Sequence, residues 1–252
     1  MHSHETEAII LSTSDHGESD RLIIFLTRTG GRLKGIAKGA RRSQKRFVHS
    51  FEPLSLVSLQ YRERSAVSLV WVESCKLLEP HMALREALDR WGYAALMAEV
   101  MVELVPERVP QEELFVVMKV ALTYLQTDKD AVNVVILALY RVLAALGYMM
   151  DLSSCSQCQR PLTSIGQYWL HLARGRLLCG LHDPPAKGFI GVDLGTLVLL
   201  RRARQAAPEQ LWRLRLRHGR KAPLLEGLLE VVRAQLGKEP KSVKFLRDMG
   251  CL

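Results

Sequence analysis

The spacing of apolar residues changes near residue 82, and this change divides the chain into two kinds of secondary structure. Before it, apolar residues recur at every second position, as Leu22, Ile24 and Leu26 do, which is the period of a β-strand. After it, they recur at steps of three and four, which is the period of one helix face. The sequence therefore predicts a multidomain α+β protein in which strands precede helices.

The first 75 residues contain five short apolar segments separated by turn residues. We predict a strand for each of them: 7–12, 21–27, 32–38, 54–61 and 66–73. The sequence Thr29-Gly30-Gly31 is typical of a hairpin turn between the second and third strands. Five short strands in so little chain favour a small barrel, and a five-stranded β-barrel of the oligonucleotide-binding (OB) type fits best. We place this OB-fold nucleic-acid-binding domain at residues 1–80.

Amphipathic segments with helical spacing dominate the rest of the chain. Three of them, joined by short links, predict a helical bundle, with apolar positions over 84–105, 114–125 and 132–146. After an irregular stretch from 151 to about 188, helices are predicted over 193–206, 208–217 and 222–236.

The segment 208–217 also alternates Leu and Arg as a strand would, and the helices on either side favour a helix there. The second predicted domain is therefore a helical domain at 81–252 with an insertion at about 151–188.

Two pairs of potential metal ligands lie in that insertion, Cys155 with Cys158 and Cys179 with His182. Two residues separate the members of each pair, and twenty residues separate the pairs. Two close pairs on separate turns can place four ligands at the corners of a tetrahedron, which suits Zn²⁺. Four protein ligands leave no open position, so the sequence predicts one structural zinc ion per chain, in a zinc-binding knuckle.

The fourth ligand has an alternative, because His171 could in principle replace His182. The remaining cysteines, Cys75 and Cys251, are predicted to be free thiols. An odd, sparse set of five cysteines is typical of a reducing compartment. No apolar run approaches the roughly 18 residues that a membrane span needs, and the N-terminus lacks the basic start of a secretory signal. We expect a soluble, cytoplasmic protein.

The chain is basic, with a formal net charge of +9, and its positive charge lies towards both ends. The first 80 residues carry 12 basic and 9 acidic side chains, residues 81–150 carry 6 and 9, and the remainder carries 17 and 8. With 48% apolar residues, the chain has ample material for a core, which excludes a disordered protein. This distribution predicts that a polyanion would bind at the two ends.

The first basic segment lies between Asp20 and Glu52, where there are nine basic residues and no acidic one. Alternation places three of the cations on one face of the third strand, and the following loop adds four more. We predict that these side chains bind the phosphates of DNA: Arg32, Lys34, Lys38, Arg41, Arg42, Lys45 and Arg46. The alternative is a solvated cationic hairpin. Three nearby aromatic residues fit a core better than base stacking: Phe47, Phe51 and Tyr61.

The second basic segment lies between Asp193 and Glu226, where Glu209 is the only acid. Its cations are Arg201, Arg202, Arg204, Arg213, Arg215, Arg217, Arg220 and Lys221. An extended DNA path and a solvated helix face are both open interpretations of this segment.

Signatures of catalysis are missing from the sequence. It contains no phosphate-binding loop, dinucleotide-binding fingerprint, zinc-protease motif or nucleophile elbow. Three acids could form a carboxylate cluster for a metal-dependent nuclease: Asp15, Glu18 and Asp20. Their place beside a strand start is more typical of hairpin and edge charges. We expect a protein that is not an enzyme.

The order of these features resembles the RecO family, bacterial mediators of DNA repair and recombination. The resemblance is carried by G-E-S-D-R at 17–21, G-R-L-K-G-I-A-K-G-A-R-R at 31–42, Glu52-Pro53, Leu146-Gly147-Tyr148 and K-S-V-K-F-L at 241–246. It covers essentially the whole chain, and the basic 31–42 segment is its most specific part. Paired metal ligands occur in many members of that family, usually with Cys at the fourth position, where this chain has His182.

The resemblance implies an OB domain, a helical domain and a zinc-binding insertion. It also implies binding to single- and double-stranded DNA, annealing of complementary strands, and partnership with RecR and the C-terminal tail of the single-strand-binding protein. The joint result would be loading of RecA onto coated single strands. The runner-up function is an RNA-binding or transcription-associated zinc protein with the same OB-type domain, which a preference for RNA without annealing would identify.

Overall fold

The computed structural model describes residues 3–43, 45–47, 49–63, 69–163, 166–182 and 188–252. The chain forms two compact units, Met1–Thr127 and Asp128–Leu252. Within the described ranges, no helix is both long and apolar enough to cross a membrane.

Five strands form the sheet of the first unit: β1 (Ser3–His16), β2 (Asp20–Thr27), β3 (Gly31–Ala37), β4 (Leu56–Arg62) and β5 (Val70–Glu79). Strand β1 pairs antiparallel with both β2 and β4, and β3 pairs with β5 in parallel. The order β1-β2-β3-β5-β4 therefore returns to β1, and each strand has two neighbours. The prediction of five N-terminal strands is confirmed. Residues 66–68, the start of the fifth predicted strand, lie outside the described residues.

The strands differ from the predicted ones mainly in length. Strand β1 has 14 residues, because its first part pairs with β4 while its second part pairs with β2. Its exposed ends carry no apolar pattern, which is why the sequence predicted only the buried centre. The turn predicted at residues 29–31 does join β2 to β3.

Three aromatic side chains near the basic loop belong to the core of this sheet, as the sequence predicted. Phe47, Phe51 and Tyr61 are each at most 4% exposed. They pack with apolar residues from all five strands, among them Ile10, Phe25, Leu33, Leu59 and Val72. None of the three is therefore available for stacking on bases.

Two helices complete the first unit, α1 (Leu88–Leu104) and α2 (Glu112–Thr127). The helical spacing of apolar residues begins at Leu84, but Leu84 lies in a 3₁₀ turn (Met82–Leu84). Helix α1 begins only at Leu88, after the extended residue Ala87. The helix ends before Pro106, as the sequence predicted.

The second unit is built around α3 (Ala131–Ala145), whose residues are nearly all buried. The other helices of this unit are α4 (Leu194–Gln205), α5 (Pro208–Leu211), α6 (His218–Leu236) and α7 (Lys241–Asp248). Helices α4 and α6 pack on α3. The division predicted near residue 80 stays a prediction.

The stretch predicted to be irregular, from 151 to about 188, contains two strands, and a third strand follows it, so that prediction was wrong. Strands β6 (Gln167–His171), β7 (Arg176–Cys179) and β8 (Ile190–Asp193) form a sheet in the order β7-β6-β8. Strands of four or five residues are too short to show a period in the sequence.

The helix predicted over 208–217 is also wrong beyond Leu211. The buried Asn133 side chain accepts a hydrogen bond from the Leu216 amide (2.9 Å) and donates one to the Leu214 carbonyl (3.0 Å). The amide of Leu216 and the carbonyl of Leu214 are thus hydrogen-bonded to a side chain far along the chain, and not to the main chain as they would be in a helix.

Candidate metal centre and nucleic-acid interface

The four predicted metal ligands come from two turns that hydrogen bonds hold together. Cys155 and Cys158 lie in the turn before β6, Cys179 ends β7, and His182 follows in the next turn. The Ser156 amide donates to the carbonyl of Leu177 in β7 (2.7 Å), and the Leu177 amide donates to Ser156 Oγ (3.0 Å). These bonds fix the first ligand pair beside the strand that carries the second.

The ligand atoms of Cys155, Cys158, Cys179 and His182 all lie within 4.8 Å of one another. The Sγ atoms of Cys158 and Cys179 are 3.7 Å apart. A tetrahedral site with Zn–S bonds of about 2.3 Å has an edge of about 3.8 Å, so this separation suits a bound metal ion. The set of three sulfurs and one imidazole can therefore hold a metal.

The pKa values of two thiols in the cluster shift in opposite directions. Burial alone would raise the pKa of Cys155, but main-chain amides of Cys158, Cys179 and Gln157 donate to its sulfur and bring the pKa down to about 6. Burial and the two neighbouring thiols raise the pKa of Cys179. A metal ion would favour the thiolate at each sulfur.

His182, and not His171, completes the cluster. Its buried Nε2 has no hydrogen-bond partner among the described residues, and neither has Nδ1 of His171, so only the position of His182 among the three sulfurs distinguishes the two. The His171 ring instead packs edge-on against Phe189, with centroids 5.2 Å apart. Within the described ranges, no second group of three or more His, Cys, Asp or Glu side chains could hold a metal. Cys75 and Cys251 form no disulfide bond within the described ranges.

One carboxylate of the first unit, Glu107, lies beside both cations of strand β3, Arg32 and Lys34. Arg32 Nε donates to the Val105 carbonyl (2.7 Å), and its side chain is only 12% exposed. Glu107 lies 4.0 Å from Arg32 and 3.6 Å from Lys34. These two cations therefore support the segment after α1.

The next two cations connect the sequences G-E-S-D-R and G-A-R-R. Lys38 Nζ lies 2.7 Å from an Asp20 oxygen, and the other oxygen accepts from the Gly39 amide (2.9 Å). Both bonds favour the carboxylate and lower the pKa of Asp20 to about 2. The Arg41 amide donates to the Ser19 carbonyl, and its guanidinium lies 3.6 Å from Asp15. The basic loop is thereby fixed to the β1–β2 turn.

Three cations of the basic loop remain without carboxylate partners among the described residues. Arg42 and Lys45 are exposed. Arg46 donates to the Lys38 carbonyl (3.0 Å), and its guanidinium lies 4.9 Å from the centre of the Phe47 ring. Loop residues 45–46 also line an open groove of about 670 Å³ with Lys76 and Glu5, which sequence reasoning did not include. The sequence did not indicate Lys76 as a binding residue, because it is the only basic residue in strand β5.

The second basic segment divides into two parts. Carboxylates lie within 4.0 Å of the cations at its C-terminal end: Arg215, Arg217, Arg220 and Lys221. Arg201 and Arg204 instead bind main-chain carbonyls near Leu152 and Met150.

The acids considered for a nuclease form no metal-binding group in the described part of the chain. Asp15 lies 3.7 Å from Arg21 and Asp20 lies beside Lys38. They serve as the hairpin and edge charges expected from the sequence.

Comparison with known proteins identifies the family. The model "Recombination protein O N terminal" matches residues 1–81, and "Recombination protein O C terminal" matches residues 85–244. DNA repair protein RecO of Syntrophobacter fumaroxidans is 49% identical over 98% of both chains. The RecO proteins of Syntrophus aciditrophicus and Myxococcus xanthus are each 31% identical, over 98% and 99% of this chain and 96% and 99% of their own. With two family models covering most of its length, the chain belongs to the RecO family of DNA repair proteins.

Proposed function

We propose that this protein is a DNA-binding recombination mediator without enzymatic activity. It binds single- and double-stranded DNA, anneals complementary strands and, with RecR, helps load RecA onto strands coated by the single-strand-binding protein. It acts in the bacterial cytoplasm and at the nucleoid during repair. Family membership supports the repair role, and the cationic surface of the first unit supports the binding of a polyanion. Annealing needs only that two polyanions approach each other, which positive side chains favour without nucleotide hydrolysis.

The observation that carries this proposal is the set of exposed loop cations without carboxylate partners among the described residues. Arg42, Lys45 and Arg46 are the leading phosphate-binding residues. Lys38 and Arg41 contribute from the same loop while they hold it to the β1–β2 turn. Arg32 and Lys34 act at the edge of this surface, beside Glu107. Each phosphate that they neutralise releases counterions, so the affinity falls steeply with salt.

The metal in this proposal is one structural Zn²⁺ held by Cys155, Cys158, Cys179 and His182. Three sulfurs and one imidazole are borderline and soft ligands that suit zinc, and four ligands complete its tetrahedron. When bound, the ion cross-links the turn before β6 to the end of β7. We also propose the domain division 1–80 and 81–252, which the boundaries of the two family models support.

The test compares two triple variants in an annealing assay with complementary oligonucleotides, with and without the single-strand-binding protein. The variant Arg42→Gln/Lys45→Gln/Arg46→Gln should anneal at least tenfold more slowly, because it removes three phosphate-binding charges. Its plot of log affinity against log salt should be shallower by about 2–3.

The matched control removes three ion-paired cations from the same unit: Arg28→Gln/Arg62→Gln/Arg85→Gln. It changes the net charge equally and should retain most of the annealing rate and the full salt slope. Equal losses in the two variants would contradict the assignment to the loop. A wild-type protein that prefers RNA and anneals no DNA would instead support the RNA-binding alternative.

A further inference from the structure

A cavity of about 380 Å³ in the second unit lies between α3, α4 and the chain that leads to the metal turn. It is lined by Tyr140, Asp151, Leu152, Ser153, Arg201, Arg204 and Gln205. Neither arginine forms an ion pair with a carboxylate in the described ranges, unlike four cations near the end of the same basic segment: Arg215, Arg217, Arg220 and Lys221.

Each arginine is oriented by main-chain carbonyls and keeps donors unused. Arg201 gives Nε and Nη2 to the Leu152 carbonyl (3.0 and 2.6 Å), and Nη2 also to the Leu162 carbonyl (3.3 Å). Arg204 gives Nη1 to the Met150 carbonyl (3.0 Å). A guanidinium has five N–H groups, so Nη1 of Arg201 and Nη2 of Arg204 remain available to an anion.

Tyr140 supplies an independent indication of a ligand. The residue is 1% exposed, and its hydroxyl has no hydrogen-bond partner among the described residues. A buried hydroxyl without a partner destabilises the folded protein, so a structural role alone would favour phenylalanine at this position. Burial also raises the pKa of Tyr140 to about 12, which keeps the hydroxyl a proton donor.

The acid in the cavity does not cancel the two positive charges. The Asp151 carboxylate accepts hydrogen bonds from the amide and the hydroxyl of Ser153. These bonds lower the pKa of Asp151, so it carries its charge, and two guanidinium groups against one carboxylate leave the cavity with a net positive charge.

We propose that this cavity binds one phosphate group of a nucleic acid backbone, through Tyr140, Arg201 and Arg204. Two planar guanidinium groups and a hydroxyl offer donors from three directions, which suits a tetrahedral phosphate with several acceptor oxygens. The proposal rests on the DNA binding proposed above and adds a contact in the second unit. It makes Tyr140 a binding residue that charge patterns alone would not reveal.

The decisive variant is Tyr140→Phe, measured with the full chain and a fluorescent single-stranded oligonucleotide. The affinity should fall about tenfold, because a hydrogen bond to a charged group is lost. The salt slope should not change, because no charge is removed. The melting temperature should stay the same or rise, whereas a purely structural hydroxyl would affect melting and leave the affinity unchanged.

Arg204→Gln and Arg202→Gln form a matched pair on one exposed stretch of α4. Both remove one charge, but only Arg204 lines the cavity, so only Arg204→Gln should lower the salt slope by about 1. Wild-type affinity in Tyr140→Phe together with equal behaviour of the two arginine variants would overturn the proposal. DNA binding by the wild type would survive that result, so the two proposals fail separately.

A third measurement separates the backbone of DNA from free phosphate. Inorganic phosphate could raise the melting temperature of the wild type and not that of Tyr140→Phe. If that difference occurs while both proteins bind DNA equally, the cavity takes free phosphate, and the assignment to a nucleic acid is wrong.

Discussion

The metal turns, which carry Cys155, Cys158, Cys179 and His182, and the basic loop at residues 38–46 are both irregular segments rich in polar or charged side chains. They differ in whether those side chains have partners within the chain. In the basic loop, Asp20 and the main chain already occupy Lys38, Gly39 and Arg41. In the metal turns, the side chain of His182 converges on three sulfurs and finds no other partner among the described residues. Lys38, Gly39 and Arg41 thus have their partners within the chain, although Arg42, Lys45 and Arg46 of the same loop have no carboxylate partner among the described residues. The metal turns instead bring together four ligand atoms that could hold a metal ion.

This difference shows how to separate side chains that build the structure from side chains that meet a ligand. Buried polar atoms are nearly always hydrogen-bonded, so an unsatisfied one marks a missing partner. Arg32 and Lys34 already have Glu107 beside them, so they act only at the edge of the proposed DNA-binding surface. His182 and Tyr140 meet it, as do other buried atoms such as Ser55 Oγ and His171 Nδ1. What distinguishes the first two is their surroundings, because His182 lies among three sulfurs and Tyr140 lines a cavity with two arginines.

The largest expected effect comes from breaking the metal turns. We expect Cys155→Ser to abolish stoichiometric zinc and to destabilise the second unit by several kcal/mol, on the order of 5, because metal binding contributes directly to folding. Elemental analysis of freshly purified protein should give about one zinc per wild-type chain, and thermal unfolding should show a Tm more than about 10 °C lower in the variant.

Cys251→Ser is the matched control, since it makes the same exchange at a cysteine outside the cluster. It should keep both the zinc and the wild-type Tm. Metal-free wild-type protein that melts like the zinc-loaded protein would show that the four side chains are not a structural site.

A smaller effect is expected from releasing the basic loop. Asp20→Asn removes the charge that binds Lys38, and we expect the Tm at pH 7 to fall by about 2–4 °C. The pKa of Asp20 is lowered from 3.8 to about 2 in the folded protein. Its stabilising contribution is therefore complete above pH 3.8 and is lost as the pH falls towards 2.

The gap in Tm between wild type and Asp20→Asn should accordingly narrow below about pH 4. Asp15→Asn serves as the comparison, because that carboxylate is 57% exposed and lies at 3.6–3.7 Å from its arginines. An exposed pair of this kind contributes little, so its Tm at pH 7 should stay within about 1–2 °C of the wild type. If Asp15→Asn lowered the Tm more than Asp20→Asn, Asp15 and not Asp20 would be the main anchor of the loop.

Local patterns predicted the elements that depend on neighbouring residues. The five strands of the first unit and the helix α3 followed from apolar spacing, and the two ligand pairs followed from the separation of Cys155, Cys158, Cys179 and His182. In each case, the residues that matter lie within a few positions of one another.

The features that the sequence did not reveal depend on partners far along the chain. Glu107 reaches Lys34 across 73 positions, and Asn133 reaches Leu216 across 83. Such pairings are set by the packing of whole elements and leave no local pattern. The strand β7 was missed for another reason, because four residues cannot display a period.

The smallest expected effect concerns His81, whose buried side chain has its partner within the chain. Its buried ring nitrogen Nδ1 lies 2.9 Å from the Leu54 carbonyl. Burial lowers the pKa of the imidazole below its ordinary value of 6.5, against the opposing effects of the Leu54 hydrogen bond and of Glu79. The unfolded chain therefore takes up a proton at a higher pH than the folded chain. Stability is complete above pH 6.5 and declines as the pH falls through that value.

Replacement of His81 should flatten this decline. Asn is the suitable substitute, because His81 has a left-handed backbone conformation (φ 49°) that Asn tolerates. Between pH 7 and pH 6, the wild type should lose about 0.5 kcal/mol more unfolding free energy than His81→Asn in urea titrations. The other histidines are common to both proteins and cancel in the difference. If the stability of wild type and of His81→Asn changed with pH in parallel, His81 would take up its proton equally well in the folded and the unfolded protein. Burial and the Leu54 contact would then not set its pKa.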